Sequence, residues 1–287
     1  MSPDTALAVC RFAHTLPLML VWGASAYLAG LVEGARAAEA WRQLHPWVVA
    51  AAIVAVAATI ATLPVETAFI GNGWTDALNP SVIGEVLTTT TVGQAWIGEA
   101  TGAVLLLVAL AFPRRIAPTA GAAAIALASA ALTGHAAMEE GWPGGAHRAN
   151  DALHLLAAGA WLGGLVPLAM MLRAQETARL AGVLRHFSTA GHLIVAIVVA
   201  TGVVNTWLIL GRLPTDWSSP YQLLLSIKLL LVGTMIALAL ANRYALMPRL
   251  AATRGMLRAI RRGALIEFAL GTAVIALVSV FGILDPM

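Results

Sequence analysis

Apolar runs recur along the whole chain, near 12–31, 47–65, 93–112, 116–134, 151–172, 189–210, 221–241 and 263–283. Each approaches the ~20 residues that a helix needs to cross the hydrocarbon of a bilayer. The stretches between them are short and leave little room for a soluble domain. The pattern predicts an all-α, polytopic membrane protein with eight transmembrane helices. Composition agrees: of 287 residues 60% are hydrophobic and only 11% charged, against about 25% charged in a soluble domain. The first run follows MSPDTALAVCRFAH, which has one basic residue and no small-residue cleavage pattern after it. It is therefore read as a retained helix and not as a signal peptide.

Charge adds an orientation. Assigning alternate loops to one side collects Arg36, Arg42, Arg114, Arg115, Arg173, Arg179, Arg185, Arg243, Arg249, Arg254, Arg258, Arg261 and Arg262. Only Arg11, Arg148 and Arg212 fall on the other side, and Lys228 lies inside a run. The excess of basic residues marks the cytoplasmic face, so both termini are expected in the periplasm of a bacterial inner membrane. The pI of 9.6 is thus a topology signal. Nucleic acid is not an expected partner, because the arginines sit at helix ends without interleaved aromatics. Opposite them, the expected loop 66–92 carries Glu66, Asp76 and Glu85 with no Lys or Arg, an anionic rim that attracts cations.

The runs also repeat. The first and fifth share a histidine followed by a tryptophan two turns on, His14 with Trp22 and His154 with Trp161. The third and seventh share a glutamine and then an ionisable residue, Gln94 with Glu99 and Gln222 with Lys228. Two parallel four-helix repeats are the expected organisation: a half at 1–134, a His/Met-containing periplasmic loop at 135–150, and a half at 151–287. Parallel repeats with a site at their interface are one arrangement of transporters.

The strongest chemical signal is GHAAMEEGWPGGAHRANDALHLLAAGAWLGG, residues 134–164. If the fifth helix is already wound at His147, then His147, Asp151 and His154 fall at i, i+4 and i+7 on one stripe. If instead Asn150 or Asp151 caps that helix, His147 lies in a loop. His135 and Met138, three residues apart, add an imidazole and a thioether; sulfur is a soft ligand that suits Cu(I). Candidate metal ligands are therefore His135, His147, His154, His14 and Met138, at an outer mouth, with Asp151 beside them. His192, with His186 and His45 nearer the arginine-rich surface, is a weaker candidate for an inner exit. Glu99 and Lys228 are costly ionisable residues in the hydrocarbon zone, and an ion pair between the halves is the economical expectation for them. The lone cysteine, Cys10, permits no intrachain disulfide or CxxC site. No hydrolase, zincin, P-loop or dinucleotide motif occurs, so no enzyme activity is expected.

From about residue 125 onward the chain resembles the CopD family of bacterial copper-resistance membrane proteins. The resemblance is carried by GHAAM, DALHLLAAGAWLGGL, RHFSTAGHLIVAIVVATGVVNTWLILG, SPYQLLLSIKLLL, NRYALMPRL and LIEFALG, and in the first half by RFAHTLPLMLVWG. It implies an inner-membrane protein of copper homeostasis that moves copper ion from periplasm toward cytoplasm; the thioether of Met138, and not the resemblance, is what favours Cu(I). A small periplasmic copper-binding protein of the CopC kind is the implied partner. Two other readings stay open: a copper sensor or chaperone without transport, and a b-type haem protein with His14 and His154, or His135 and His154, as axial ligands.

Overall fold

The computed structural model describes residues 1–134, 141–173, 177–247 and 254–286, with backbone alone at 177–186 and 254. His135, Met138, Glu139 and Glu140 therefore lie outside the described residues, and so does the side chain of His186. The described chain is helical: α1 (Pro3–Leu31), α2 (Gly34–Ile70), α3 (Pro80–Thr89), α4 (Thr91–Leu110), α5 (Ile116–Ser129), α6 (Gly141–Arg173), α7 (Thr177–Leu210), α8 (Pro220–Ala241) and α9 (Arg254–Phe281). Seven of these are long and apolar enough to span a membrane, and Ile116–Leu132, continued past α5 by a 3-10 turn, is a shorter apolar helix. Together they match the eight expected runs.

Helix starts differ from the hydropathy runs, for local reasons. Ser2 caps α1 by accepting from Thr5 N at 3.3 Å, with Pro3 at its first position and Asp4 in its first turn. Such caps offset orphan N–H groups and suit the positive end of the helix dipole. The helix thus begins nine residues before the apolar run, and Arg11 belongs to it and not to a loop. At the fifth run Gly141, with φ of +69°, starts a helix that already contains Arg148 and Asp151. Residues 141–150, expected as part of a loop at 135–150, are helical. α2 likewise runs to Ile70, which takes Glu66 out of the expected 66–92 loop. Within that stretch α3 is capped by Asn79, and Thr90 caps α4 by accepting from Gly93 N at 3.0 Å.

The helix packing repeats. α1 rests on α2 and α5 as α6 rests on α7 and α9; α4 rests on α5 as α8 rests on α9. Across the seam α1 meets α6, while α1–α9 and α5–α6 are matching cross-contacts. At that seam the backbones nearly touch. A Cβ on Gly23 would collide with the Gly159 carbonyl and lie 2.6 Å from Gly163 Cα. Trp22 Nε1 donates to Leu156 O at 2.8 Å. Small residues permit such approach, which maximises dispersion contact where no hydrophobic drive separates helix from lipid. Contacts climb together, from Met19 and Trp22 at Gly159 to Tyr27 at Gly164, so α1 and α6 are parallel. One difference breaks the match: α2 packs on α4, but α7 and α8 make no comparable contact among the described residues. Both chain ends lie at one end of the bundle, where Trp74 Nε1 donates to Met1 O at 3.0 Å and Arg11 Nη1 to Gly282 O at 2.9 Å.

Candidate metal-handling site

Because α6 is wound from Gly141, neither Asn150 nor Asp151 caps it, and His147, Asp151 and His154 do share a stripe. His147 is buried, 2% exposed, and its imidazole acts electrostatically on Asp151. The stripe is braced by α7. Asn205 Nδ2 donates to Asp151 Oδ1 at 2.8 Å, and Asn150 Nδ2 donates to Asn205 Oδ1 at 2.6 Å and to Thr201 O at 3.0 Å. Thr201 gives its one hydroxyl proton to Ile197 O at 2.6 Å. It therefore accepts from His154, whose Nδ1 lies 2.9 Å away, which assigns the proton to Nδ1 and the lone pair to Nε2. Gly202 leaves room for this ring: a Cβ there would sit 3.3 Å from His154 Cε1. An imidazole whose second nitrogen is tied down in this way is the usual arrangement of a metal-binding histidine.

Lys228 of α8 completes the cluster. Asp151 is the charge that acts on it, and Tyr221 is electrostatically coupled to the same carboxylate. Lys228 Nζ lies 5.9 Å from the centre of the Phe281 ring, which Tyr221 meets edge-on at 5.3 Å.

The expected Glu99–Lys228 pair does not form. α4 packs on α2, α3 and α5, whereas α8 packs on α9. The charges that act on Glu99 are instead Arg11 and Glu66. The influence of Arg11 on Glu99 was invisible to hydropathy because the apolar run begins after Arg11. Yet Arg11 and Asp151 lie 140 residues apart, as do His14 and His154, and Gly23 and Gly163. That spacing was available in the sequence and pointed to two pairs, one per half.

His14 is buried, 5% exposed, eleven residues into α1, so about 16 Å along the helix and not at its outer start. It is nine residues, about half a turn out of phase, from Gly23 at the α1–α6 seam. His154 turns toward α7. Among the described residues no hydrogen bond or ring contact joins the two imidazoles. Among the described residues no group of three or more His, Cys, Asp or Glu side chains could hold a metal ion. The reason is spacing: His147 and His154 are about 10 Å apart along α6. The stripe is a ladder of donors, not a single cage.

At the arginine-rich end, His192 is exposed, its Nδ1 2.7 Å from Ser188 O and its Nε2 3.1 Å from Tyr244 OH. It borders a cavity of about 150 Å³ that Met247, Asn242 and Glu267 also line. Glu267 accepts from Asn242 Nδ2 at 2.9 Å and Trp161 Nε1 at 3.3 Å. His45 lies apart from this cavity, edge-on to Trp41 at 5.4 Å.

Comparison with known proteins decides the family. A model described as copper resistance protein D-like, N-terminal domain, matches residues 1–146, and the copper resistance protein D model matches residues 181–281. The chain belongs to the copper resistance protein D family. It is 34% identical to inner membrane protein YebZ of Escherichia coli K12, over 96% of this chain and 97% of that one. It is 32% identical to copper resistance protein D of Pseudomonas syringae pv. tomato, over 96% and 95%. Copper transport protein CutJ of Bacillus subtilis is 29% identical over 78% of this chain and 42% of its own length. No solved structure matches. Within the copper resistance protein D framework, Arg11, Glu66 and Glu99 fall in the first matched segment and Thr201, Asn205, Tyr221 and Lys228 in the second. The α6 stripe lies between them.

Proposed function

We propose that the protein binds copper at the end of the bundle that holds its termini and carries it across the inner membrane toward the arginine-rich, cytoplasmic side. The observation that carries this reading is the stripe itself: two imidazoles flanking a carboxylate on α6, with His154 Nε2 left as a donor by its bond to Thr201. Neutral imidazole replaces the water or carrier that copper sheds, without adding buried charge. His135 and Met138 in the adjoining segment supply the softer first contact, which favours Cu(I). His14, on the far face of α1, is not part of this path. Asp151 is the step between the two imidazoles, and Lys228 neutralises it when no cargo is present. A copper ion at Asp151 takes over that role, so an ion replaces an ion and no unpaired charge is left in hydrocarbon. A periplasmic copper-binding protein of the CopC kind is the proposed donor.

The test is metal analysis with X-ray absorption on the purified full chain loaded with Cu(I), wild type beside His154→Ala and Asp151→Asn. Nitrogen ligation that falls in His154→Ala supports the path; unchanged copper content and ligation in both variants overturn it. Copper flux into proteoliposomes separates transport from sensing or storage.

A further inference from the structure

The α6 stripe does not end at His154. Trp161 follows His154 by seven residues, as His154 follows His147, so its indole sits about 10 Å nearer the arginine-rich end. There Trp161 Nε1 donates to Glu267 Oε2 at 3.3 Å, and Asn242 Nδ2 donates to Glu267 Oε1 at 2.9 Å. Glu267 is 3% exposed and, among the described residues, takes part in no ion pair. Arg243 lines the same cavity, but it is bonded to Ser188 Oγ and lies over the Tyr244 ring at 5.6 Å. Two neutral N–H groups thus hold the carboxylate in place and no cation pairs with it. In the hydrocarbon zone such a residue marks a pathway.

The cavity beside Glu267, about 150 Å³, gathers softer donors. His192 reaches it from α7. Its Nδ1 lies 2.7 Å from Ser188 O, which can only accept. That nitrogen therefore carries the proton and Nε2 keeps the lone pair, the same tautomer as at His154. Tyr244 OH, 3.1 Å from Nε2, is then the donor to it, and a hydroxyl can rotate away. Asn242 and Tyr244 belong to one π-helical turn, Asn242–Leu246, that directly follows α8. Single turns of this kind are frequent at functional sites. Gly263 of α9 makes room for the Asn242 amide, from which a Cβ would lie only 2.5 Å away. Met247, next after the turn, adds a thioether to the cavity wall. An imidazole, a thioether and a carboxylate therefore border a space that admits an ion with some water, at about 30 Å³ per water.

We propose that this cavity is a second, inner copper station, with His192 Nε2 and the Met247 sulfur as ligands and Glu267 as counter-charge. The inference rests on the copper path proposed above and extends it past His154 toward the cytoplasmic side. Imidazole and thioether select Cu(I) over hard cations such as Mg²⁺ or Ca²⁺. Glu267 balances the arriving charge without a change in the bonds from Trp161 and Asn242. His192 is exposed and is the exit: Tyr244 OH takes back Nε2 as the ion leaves.

The test loads the purified full chain with Cu(I), counts the copper and reads its ligands by X-ray absorption. His154→Ala with Met138→Leu removes donors of the outer path. In that background copper should stay bound with a sulfur ligand. Adding Met247→Leu, which conserves volume and should fold, should remove the sulfur. Adding the near-isosteric Glu267→Gln should weaken the remaining copper by about 10-fold or more, at least the effect of groups that surround metal ligands. A background that binds no copper, or one whose sulfur ligand and affinity survive both additions, overturns the inner station. The outer path is judged separately, by His154→Ala alone. Copper ligation that ignores His154→Ala but is lost in Met247→Leu keeps the inner station and overturns the path; the reverse pattern keeps the path and overturns the station.

Discussion

The two halves of this bundle use one packing plan with opposite charges. In the first, the central helix α1 carries the cation Arg11 and α4 the carboxylate Glu99. In the second, α6 carries the carboxylate Asp151 and α8 the cation Lys228. Among the described residues neither half brings these opposite charges within ion-pair distance; each set acts at longer range, where attraction depends on separation and not on which helix carries which sign. What differs is the surroundings. α2 packs on α4 and brings a second carboxylate, Glu66, under the influence of Arg11. Among the described residues α7 and α8 make no comparable contact, and Asp151 is surrounded by imidazoles, amides and a hydroxyl. The comparison teaches that a repeated packing plan can keep its helix contacts while its two copies surround their charges differently.

The largest effects should come from breaking pairs within a half. Asp151→Asn and Lys228→Met should each lower stability, and the double variant should lose less than the sum of the two. The cycle Glu99→Gln with Lys228→Met should be additive to within about 0.5 kcal/mol, because these residues belong to different clusters. Thermal unfolding in detergent measures both; strong coupling in the second cycle would merge the halves into one electrostatic unit. A smaller but still clear loss, about 1–3 kcal/mol or more, is expected for Gly163→Leu, which forces α1 and α6 apart, while Gly191→Ala, with open space at its Cβ, should be tolerated.

Third comes the brace around the cargo path. Thr201→Val frees His154 Nδ1 and should lower copper affinity about 10-fold, in the range of changes to groups that orient metal-binding histidines. Thr62→Val, in the other half, should leave copper affinity unchanged. Lowering pH should weaken copper binding in wild type, since imidazole must be neutral to ligate. The smallest effect belongs to Asp216 in the α7–α8 connection. Bonds from Ser218, from Oγ at 2.5 Å and N at 3.2 Å, hold its carboxyl below the usual carboxylate range. A depressed pKa stabilises the fold above the unfolded value and is lost as pH falls through the folded one. Asp216→Asn should therefore lower the melting temperature slightly near neutral pH and converge with wild type in acid.

Much of this architecture was legible in the chain. Eight apolar runs, the one-sided arginines and the paired His14–Trp22 and His154–Trp161 spacings each follow from residues acting locally or through simple periodicity, because transfer into lipid sums over neighbours along one helix. The α6 stripe was legible too, on the condition that α6 began early. That condition was not settled by hydropathy, since the turns that start α1 and α6 are polar and lie outside the apolar runs. Which charge meets which was decided only by tertiary structure. Hydropathy expects Glu99 and Lys228 at matching depths, so depth alone paired them; helix packing instead puts Glu99 under the influence of Arg11 and Lys228 under that of Asp151. Depth is a property of one helix, whereas facing is a property of two.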